Sequence, residues 1–367
     1  VSQSVGSKDY RRAAHYASQA ITLSTTIGFI YACIIILAAP LLMGLFRFET
    51  SISTQAIDYM RLVAPGLFFQ FNNNTFSGLY NGQGDSRTPF RTSAVGLIVN
   101  IILDPLLIYG IGPFPAWGTA GAAVATALAQ LVVYGIFARR IFSDRFPLGR
   151  MHLLSRLKQD YARRIILLGL PVSIQNALFS MFSLTLATLA ARWGAVGVAA
   201  QSIGAQIEAI SWVTASPALA AFTGQNYGAG NYERIRKGYR LTLGIAGSIG
   251  LGAGILFFVL THEIFGLFVN EPEAIEAGGN YLKILALSQL FMVTESVTAG
   301  AFNGTGHTTP PALTGIIFTG ARIPMAYFLT SFPQLGLTGI WWSITISSIL
   351  KGSVLPLWFL HFQRKLK

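Results

Sequence analysis

The chain has 367 residues, of which 52% are hydrophobic and only 11% are charged, and its mean hydropathy is +0.54. Soluble domains carry roughly 25% charged residues, so this composition excludes an ordinary soluble protein and predicts an all-α polytopic membrane protein. The formal net charge of +12 does not indicate a nucleic-acid-binding surface, because the basic residues cluster in short loops between apolar segments.

Ten apolar segments are long enough to cross a bilayer, since a helix of about 20 apolar residues covers the hydrocarbon core. Their frequent glycine and proline residues are typical of membrane helices that pack closely or bend. In chain order the predicted spans are 18–46, 54–79, 91–111, 116–138, 163–190, 196–223, 239–262, 276–301, 311–331 and 336–362.

The loops between these spans alternate in charge. Most of the basic residues lie in one set of loops, which includes the 141–161 connection and the C-terminal tail. The opposite set contains Arg47 and Arg192 and is otherwise neutral or acidic, as at Glu49 and Glu271. The positive-inside rule places the basic set in the cytoplasm, so we predict a multi-pass protein of the cell membrane whose C-terminus and central connection are cytoplasmic.

The two halves of the chain resemble each other at a fixed separation of 222 positions. Both copies begin on the basic side, which predicts parallel repeats related by an axis along the membrane normal. The matches include Gln3 with Gln225, Gly6 with Gly228, Asn81 with Asn303 and Gly84 with Gly306, and further on Gly118 and Gly121 match Gly336 and Gly339 at a separation of 218.

The repeat divides the chain into an N-lobe at 1–140, a cytoplasmic linker at 141–161, and a C-lobe with a basic tail at 162–367. Two C-lobe spans, 163–190 and 196–223, have no counterpart in the N-lobe. We therefore expect twelve spans in the complete protein, six in each half, with the first two on about 60 residues preceding Val1. In this interpretation the chain is truncated at its N-terminus and contains ten of twelve helices.

Asn100 and Asp104 are the first candidate site residues, because they lie four positions apart within an apolar run and so share one helix face. A carboxylate at membrane depth is costly, and such a residue indicates a functional site by default. The alternative is a structural carboxylate at a helix end, beside a kink at Pro105. The second repeat has Arg322-Ile323-Pro324 where the first has Leu103-Asp104-Pro105, and loss of the acid in one half favours function.

Other polar residues within the spans are also candidates. The run Asn72-Asn73-Asn74 cannot face lipid without leaving donors unpaired, so at least one amide, Asn73 or Asn74, should face the bundle interior. Glu208 and Glu295 are intramembrane acids that either bind a cationic substrate or proton, or satisfy neighbouring polar groups.

Three further patterns favour structural roles. The Asn-Gly-x-Gly loops at 81–84 and 303–306 lack the strand and the Lys-Ser/Thr of a phosphate-binding loop, so we interpret them as tight turns. Arg322 needs a carboxylate or backbone partner, which is expected of a structural residue in an exporter of cations. The histidines lack ligand spacing, so we predict no metal centre and no cofactor.

Several motifs are distinctive in combination: Gln3-Ser4-Val5-Gly6, Gln225-Asn226-Tyr227-Gly228, Asn100-Ile101-Ile102-Leu103-Asp104-Pro105, Gly118-Thr119-Ala120-Gly121-Ala122-Ala123-Val124-Ala125-Thr126 and Arg322-Ile323-Pro324. With these motifs, the chain resembles the multidrug and toxic compound extrusion (MATE) transporters along its whole length. The resemblance implies the MATE fold of two parallel six-helix bundles, in a protein that is not an enzyme and acts as a monomer. It also implies export of cationic or amphipathic organic compounds in exchange for H⁺, or alternatively Na⁺, by rocking of the two lobes.

Within this family the chain resembles the DinF branch more than the NorM branch. The DinF resemblance assigns proton coupling to an N-lobe cluster that Asn100 and Asp104 match, with Thr126 beside it, although helix packing explains a threonine equally well. The principal aspartate of that cluster lies on the first helix, in the segment expected before Val1. The NorM branch has a glutamate on helix seven, whereas the corresponding stretch, 171–182, contains no acid. Glu295 falls on the tenth helix in this scheme.

Two other functions are open at this stage. A lipid-linked oligosaccharide flippase of similar architecture needs a large basic groove, and the cations here lie mainly in loops. An intramembrane enzyme needs a cluster of His, Cys, Ser or acidic residues, which the sequence does not present.

Overall fold

The structure, a computed structural model, describes residues 1–44, 49–143, 146–149, 151–212 and 216–366, and of 210–212 and 216–218 it describes the backbone alone. The end of the first predicted span at 45–46 and the part of the sixth at 213–215 lie outside the described residues. So do Arg47, Arg145 and Arg150 of the predicted loops.

Regular structure in the described residues is entirely helical. A single 3-10 turn, Ala191–Trp193, joins α6 to α7. The helices are α1 (Ser2–Gly6), α2 (Tyr10–Gly44), α3 (Thr50–Gly82), α4 (Arg87–Tyr109), α5 (Thr119–Ile141), α6 (Gln159–Ala190), α7 (Gly194–Trp212), α8 (Ser216–Gly228), α9 (Tyr232–Val259), α10 (Thr261–Gly266), α11 (Pro272–Ala286), α12 (Gln289–Thr305), α13 (Thr309–Thr330) and α14 (Thr338–Lys365).

The ten predicted spans lie on helices through most of their described residues, except for up to three residues at some span ends, Leu260, and a break at 287–288 within span 276–301. By length and composition, seven described helices are apolar enough to cross a membrane, or eight if the bent pair α11 and α12 is one span. The stretch 159–209 counts as one of these although it contains the 3-10 turn. Helix α3 is not among the seven, because Asp58, Arg61 and its three asparagines lower its hydropathy. The protein is an all-α, multi-pass membrane protein.

The chain forms two compact units, Val1–Ile165 and Ile166–Lys367. In unit 1, α3 packs between α2 and α5, and α4 packs on α5. Its core contains Phe76 and Phe137, both fully buried. In unit 2, α12 contacts α8, α9 and α14, while α13 packs along α14. One of the cores of unit 2 is centred on Tyr281 and Trp341, whose rings meet edge to face.

The segment between α5 and α6 is docked onto unit 1. Phe146, Leu148 and Met151 are buried in the core of that unit. The Ser155 amide donates to Thr22 Oγ1 at 3.1 Å, and the Lys158 amide donates to Gln19 Oε1 at 2.8 Å. The segment predicted as a linker is thus a fixed part of unit 1 up to the start of α6.

The sequence repeat of 222 positions recurs in the helix boundaries. Helices α2 and α9 begin at Tyr10 and Tyr232, α3 and α11 at Thr50 and Pro272, and α4 and α13 at Arg87 and Thr309. The caps repeat as well: Asp9 Oδ1 accepts the Arg12 amide at 2.9 Å, and Asn231 Oδ1 accepts the Arg234 amide at 3.2 Å. The same local chemistry therefore starts equivalent helices in both units.

The Asn-Gly-x-Gly loops form the same tight turn in both repeats. The Gly84 amide donates to the Asn81 carbonyl at 2.9 Å, and the Gly306 amide donates to the Asn303 carbonyl at 3.0 Å. Gly84 and Gly306 have φ of 89° and 81°, which side-chain-bearing residues rarely adopt. This confirms the interpretation of these loops as turns.

The Gly-x-x-Gly motif brings successive helices into contact. Gly118 precedes α5 with φ of 55°, and a Cβ at Gly121 would overlap the backbone of Leu107 in α4. In unit 2, a Cβ at Gly339 would lie 2.8 Å from the backbone of Leu329 and Thr330. Glycine at these positions allows two backbones to approach within side-chain distance, as small residues do between membrane helices.

The predicted span 276–301 is not one continuous helix. Helices α11 and α12 meet at a 57° bend, whereas the equivalent α3 continues through Pro65. The side chains of Ser288 and Gln289 both donate to the Leu285 carbonyl, at 3.0 and 3.2 Å. The Ser288 amide donates to the same carbonyl at 3.0 Å, so side-chain and backbone donors converge on Leu285 where α11 ends.

We expect Gly121→Ala to lower the free energy of unfolding by about 1–3 kcal/mol, because the methyl group forces α4 and α5 apart. The midpoint of thermal unfolding of the purified protein should fall accordingly. Gly135→Ala is the matched control on the same helix, since a Cβ there meets open space. Equal midpoints for the two variants would contradict the proposed close approach.

Asp85 gives a second prediction, since it anchors the start of α4. Burial acts to raise the pKa of its carboxyl, but hydrogen bonds from Thr88 and from the Arg87 amide, with the charge of Arg140, outweigh burial and lower the pKa below its ordinary value. Asp85→Ala should cost about 1 kcal/mol of stability at neutral pH, as for other helix caps. Because the pKa is lowered on folding, this contribution is present above the ordinary carboxyl pKa of about 4 and disappears as the pH falls through the lowered value.

The measurement is thermal unfolding of wild type and Asp85→Ala as a function of pH. The two curves should converge in acid. Asp58→Ala, at an exposed position on α3, should run parallel to wild type at every pH. A constant gap between wild type and Asp85→Ala down to the acid limit would show that the carboxylate charge plays no part.

Candidate functional site

Helices α3, α4 and α5 enclose a cavity of about 280 Å³ in unit 1. Four residues predicted from sequence, Asn73, Asn74, Asn100 and Thr126, all line it. The remaining lining residues are Gln70, Ser77, Ser93, Gly96, Leu97, Ala129, Gln130 and Val133. The wall is therefore polar but carries no formal charge.

The three adjacent asparagines of α3 have different environments. Asn72 is buried against α2, where its Oδ1 accepts from Thr25 Oγ1 at 2.7 Å. Asn73 is 5% exposed, and its Nδ2 donates to both the main-chain oxygen and Oε1 of Gln130 at 3.0 Å. Its Oδ1 accepts no hydrogen bond from the described residues. Asn73 and Asn74 both line the cavity, so the run supplies two polar groups there and one to packing.

Asp104 is connected to this cavity through Asn100. Nδ2 of Asn100 donates to Oδ1 of Asp104 at 3.3 Å along one face of α4. Asp104 is half-buried and lies one turn beyond the lining. Pro105 continues the helix without an amide hydrogen, which deprives the Ile101 carbonyl of its helical donor. Asn100 can donate to a carboxylate, and through its oxygen it can accept from a carboxylic acid.

A second cavity, of about 380 Å³, lies within unit 2 between α6, α7, α12, α13 and α14. Glu208 and Glu295, the two acids predicted in this half, both line it. The other lining residues are Gln175, Asn176, Phe179, Phe182, Met292, Ser296, Ala299, Gly315, Ile316, Thr319, Arg322 and Lys351. This cavity therefore combines aromatic surface with four ionisable groups.

One of its acids forms a salt bridge across the cavity wall. Nζ of Lys351 lies 3.0 Å from Oε2 of Glu295, and the two side chains are 8% and 16% exposed. Sequence reasoning did not identify Lys351. The sequence does show that Lys351 is a lone lysine within the apolar span 336–362. Its partner, Glu295, lies on a different helix, so the pair is evident only in the folded chain.

Arg322 and Glu208 supply the other two charges. Nε of Arg322 donates to Ser347 Oγ at 2.6 Å, and an Nη donates to Ser348 Oγ at 3.0 Å. Arg322 is 5% exposed and interacts electrostatically with Glu208, which is also buried. Glu295 acts electrostatically on Arg322 as well, so the expected carboxylate neighbours of Arg322 are the two acids of the cavity, while its hydrogen-bond acceptors are the two serine hydroxyls. With two acids and two bases, the formal charge of the cluster is zero.

The two cavities occupy equivalent positions in the two repeats. At a separation of 222, Asn73 matches Glu295 and Asn100 matches Arg322; after the register slips to 218, Val133 matches Lys351. At the separation of 222, Asp104 matches Ala326. If the repeats are aligned instead on Pro105 and Pro324, Leu103 matches Arg322. In either register unit 2 has no acid at the position of Asp104. Further equivalent lining pairs are Asn74 with Ser296, Ser77 with Ala299, Ser93 with Gly315 and Leu97 with Thr319.

Comparison with known proteins gives a consistent result. The family model described as MatE matches residues 1–106 and 171–328. The chain is 30% identical over 369 residues to the probable multidrug resistance protein NorM of Thermotoga maritima, covering 98% of the chain and 78% of that protein. It is 25% identical over 348 residues to the probable multidrug resistance protein YoeA of Bacillus subtilis, covering 93% and 75%. A crystal structure of MATE in complex with MaL6 superposes with a TM-score of 0.92 at 24% identity, over 100% of this chain and 82% of that one.

Proposed function

Because the chain belongs to the MatE family, whose members are transporters and not enzymes, we propose that it exports organic cations and amphipathic compounds across the cell membrane in exchange for H⁺. The exchange site is the unit 1 cavity with Asp104 and Asn100. The observation that carries the proposal is the hydrogen bond between these two residues at the edge of an otherwise uncharged cavity.

The chemistry of this site accounts for exchange. When Asp104 is ionised, its negative charge attracts a cation to a cavity whose other lining groups are neutral. When Asp104 is protonated, that attraction is lost, because the remaining amides and hydroxyls contribute only dipoles. A proton and an organic cation therefore compete for one charge, so each weakens binding of the other and the coupling free energy between the two ligands is positive.

Alternating access completes the mechanism. Proton binding and cation binding favour different states of the two lobes, which open in turn to the two sides of the membrane. The basic charge of these loops supports a cytoplasmic C-terminus and a cytoplasmic segment between α5 and α6, by the positive-inside rule. The protein acts as a monomer without a cofactor in this proposal.

Sodium is the alternative coupling ion. Carboxylate and amide oxygens are hard ligands, and Oδ1 of Asn73 lies in the lining without a hydrogen-bond donor from the described residues. An oligosaccharide flippase is disfavoured, because the buried cations of unit 2, Arg322 and Lys351, are balanced by Glu208 and Glu295.

Replacement of Asp104 by asparagine tests the proposal. Asp104→Asn should reduce export of a fluorescent organic cation from proteoliposomes under an imposed pH gradient to the level of empty liposomes, because no group at the site changes charge. Export driven by a Na⁺ gradient is measured in parallel and distinguishes the two coupling ions.

The matched control is Asp160→Asn, an exposed aspartate at the start of α6. Both variants should reconstitute in equal amounts and unfold at the wild-type temperature. Normal pH-driven export by Asp104→Asn would refute the assignment of the coupling site.

A further inference from the structure

The unit 2 cavity has the oxygen ligands of a cation site. Glu208 and Glu295 contribute carboxylates, Gln175 and Asn176 contribute amide oxygens, and Thr319 contributes a hydroxyl. Carboxylate, carbonyl and hydroxyl oxygens are the ligands that hard metal cations take in proteins. By composition alone, this wall is a better cation site than the neutral wall of unit 1.

That site already holds a cation that is part of the chain. The Lys351 ammonium lies 3.0 Å from Glu295 Oε2, at a position where unit 1 has Val133. The Arg322 guanidinium donates hydrogen bonds to the hydroxyls of Ser347 and Ser348, and it interacts electrostatically with Glu208. The two acids are therefore matched by two covalently attached bases, and a mobile cation would give the cluster a net positive charge.

We propose that Lys351 is a built-in counter-cation that fills the ion site of unit 2 and so excludes Na⁺ from this cavity. The physical reason is electrostatic. A second cation beside Lys351 and Arg322 would be repelled at short range in a partly apolar environment, where charge interactions are several-fold stronger than in water. The lysine side chain gives its ammonium a high effective concentration at Glu295, which a free ion at physiological concentration does not match.

Removal of the lysine should convert the cavity into a sodium site. In Lys351→Met the side chain keeps most of its volume, but the cluster has a net charge of −1 and Glu295 loses its partner. We expect saturable binding of one Na⁺, at least about tenfold tighter than in the parent protein. Binding is measured with radioactive Na⁺ on purified protein at alkaline pH, with Tris as the replacing cation.

The experiment uses an Asp104→Asn background, which removes the carboxylate of the unit 1 site. The result for Lys351 is then independent of the proposed proton coupling at Asp104. If Lys351→Met binds no Na⁺, the coupling proposal still stands. If Asp104 is not the coupling residue, this binding measurement is unaffected. Sodium binding to the background protein that is lost on Glu295→Gln would overturn the proposal, because it would mean that Na⁺ binds despite Lys351.

Glu295→Gln combined with Lys351→Met is the matched control. It removes the salt bridge as a unit, leaves Arg322 with Glu208, and should bind no Na⁺. Retained Na⁺ binding by this double variant, or absence of binding by a Lys351→Met protein that is monodisperse and unfolds cooperatively, would each contradict the model.

A destabilised Lys351→Met protein still gives a decisive result. Since a ligand that binds only the folded state raises its stability, added Na⁺ should increase the unfolding temperature of Lys351→Met but not that of the double variant. Methylammonium, which resembles the lost end of the lysine, should do the same for Lys351→Ala. A merely structural lysine predicts no difference between these cations and Tris, and that result would overturn the proposal.

Discussion

An ionised group in the apolar interior of a membrane protein must be neutralised by a neighbour or by a proton. The cost of leaving it alone is several kcal/mol, which is comparable with the whole stability of a domain. The two units satisfy this constraint in different ways. Unit 1 places one carboxylate, Asp104, beside an amide at the edge of a neutral cavity, while unit 2 assembles Glu208, Glu295, Arg322 and Lys351 into a cluster of zero net charge.

The backbone of the two repeats follows a second constraint, which is close packing. Helices begin at equivalent positions, the loops at 81–84 and 303–306 turn identically, and Gly121 and Gly339 each allow a helix to touch the preceding one. These positions tolerate little change, because a single methyl group there displaces a neighbouring backbone. Side chains that face a cavity are not restricted in this way, which explains why Asn73, Asn100 and Val133 correspond to Glu295, Arg322 and Lys351.

The sequence was sufficient for the features that depend on local chemistry. Apolar length located the predicted spans on helices, apart from short end segments and the break in span 276–301. The repeat predicted matching turns, and four of the predicted polar residues line one cavity in unit 1. It was insufficient where partners are distant. The buried contacts of Phe146 and Leu148 that dock the segment before α6, and the pairing of Lys351 with Glu295, join residues far apart in the chain.

The bend between α11 and α12 was missed for a different reason. No proline or glycine lies at the break, and the side-chain bonds of Ser288 and Gln289 to Leu285 are ones that these residues also make within continuous helices. Local sequence therefore did not distinguish the two conformations.

The bend lies in the segment that carries Glu295, whereas the equivalent helix α3 carries Asn73 without interruption. In unit 2, the bend before α12 and the charged cavity therefore occur in the same segment. The two units of this duplicated fold differ there both in the course of the backbone and in the charge of the cavity lining. A cluster whose charges neutralise each other is suited to holding a fixed charge, and a single carboxylate in a neutral cavity is suited to changing it. For this reason the proposed mechanism assigns the exchange of ions to unit 1 and the constant charge to unit 2.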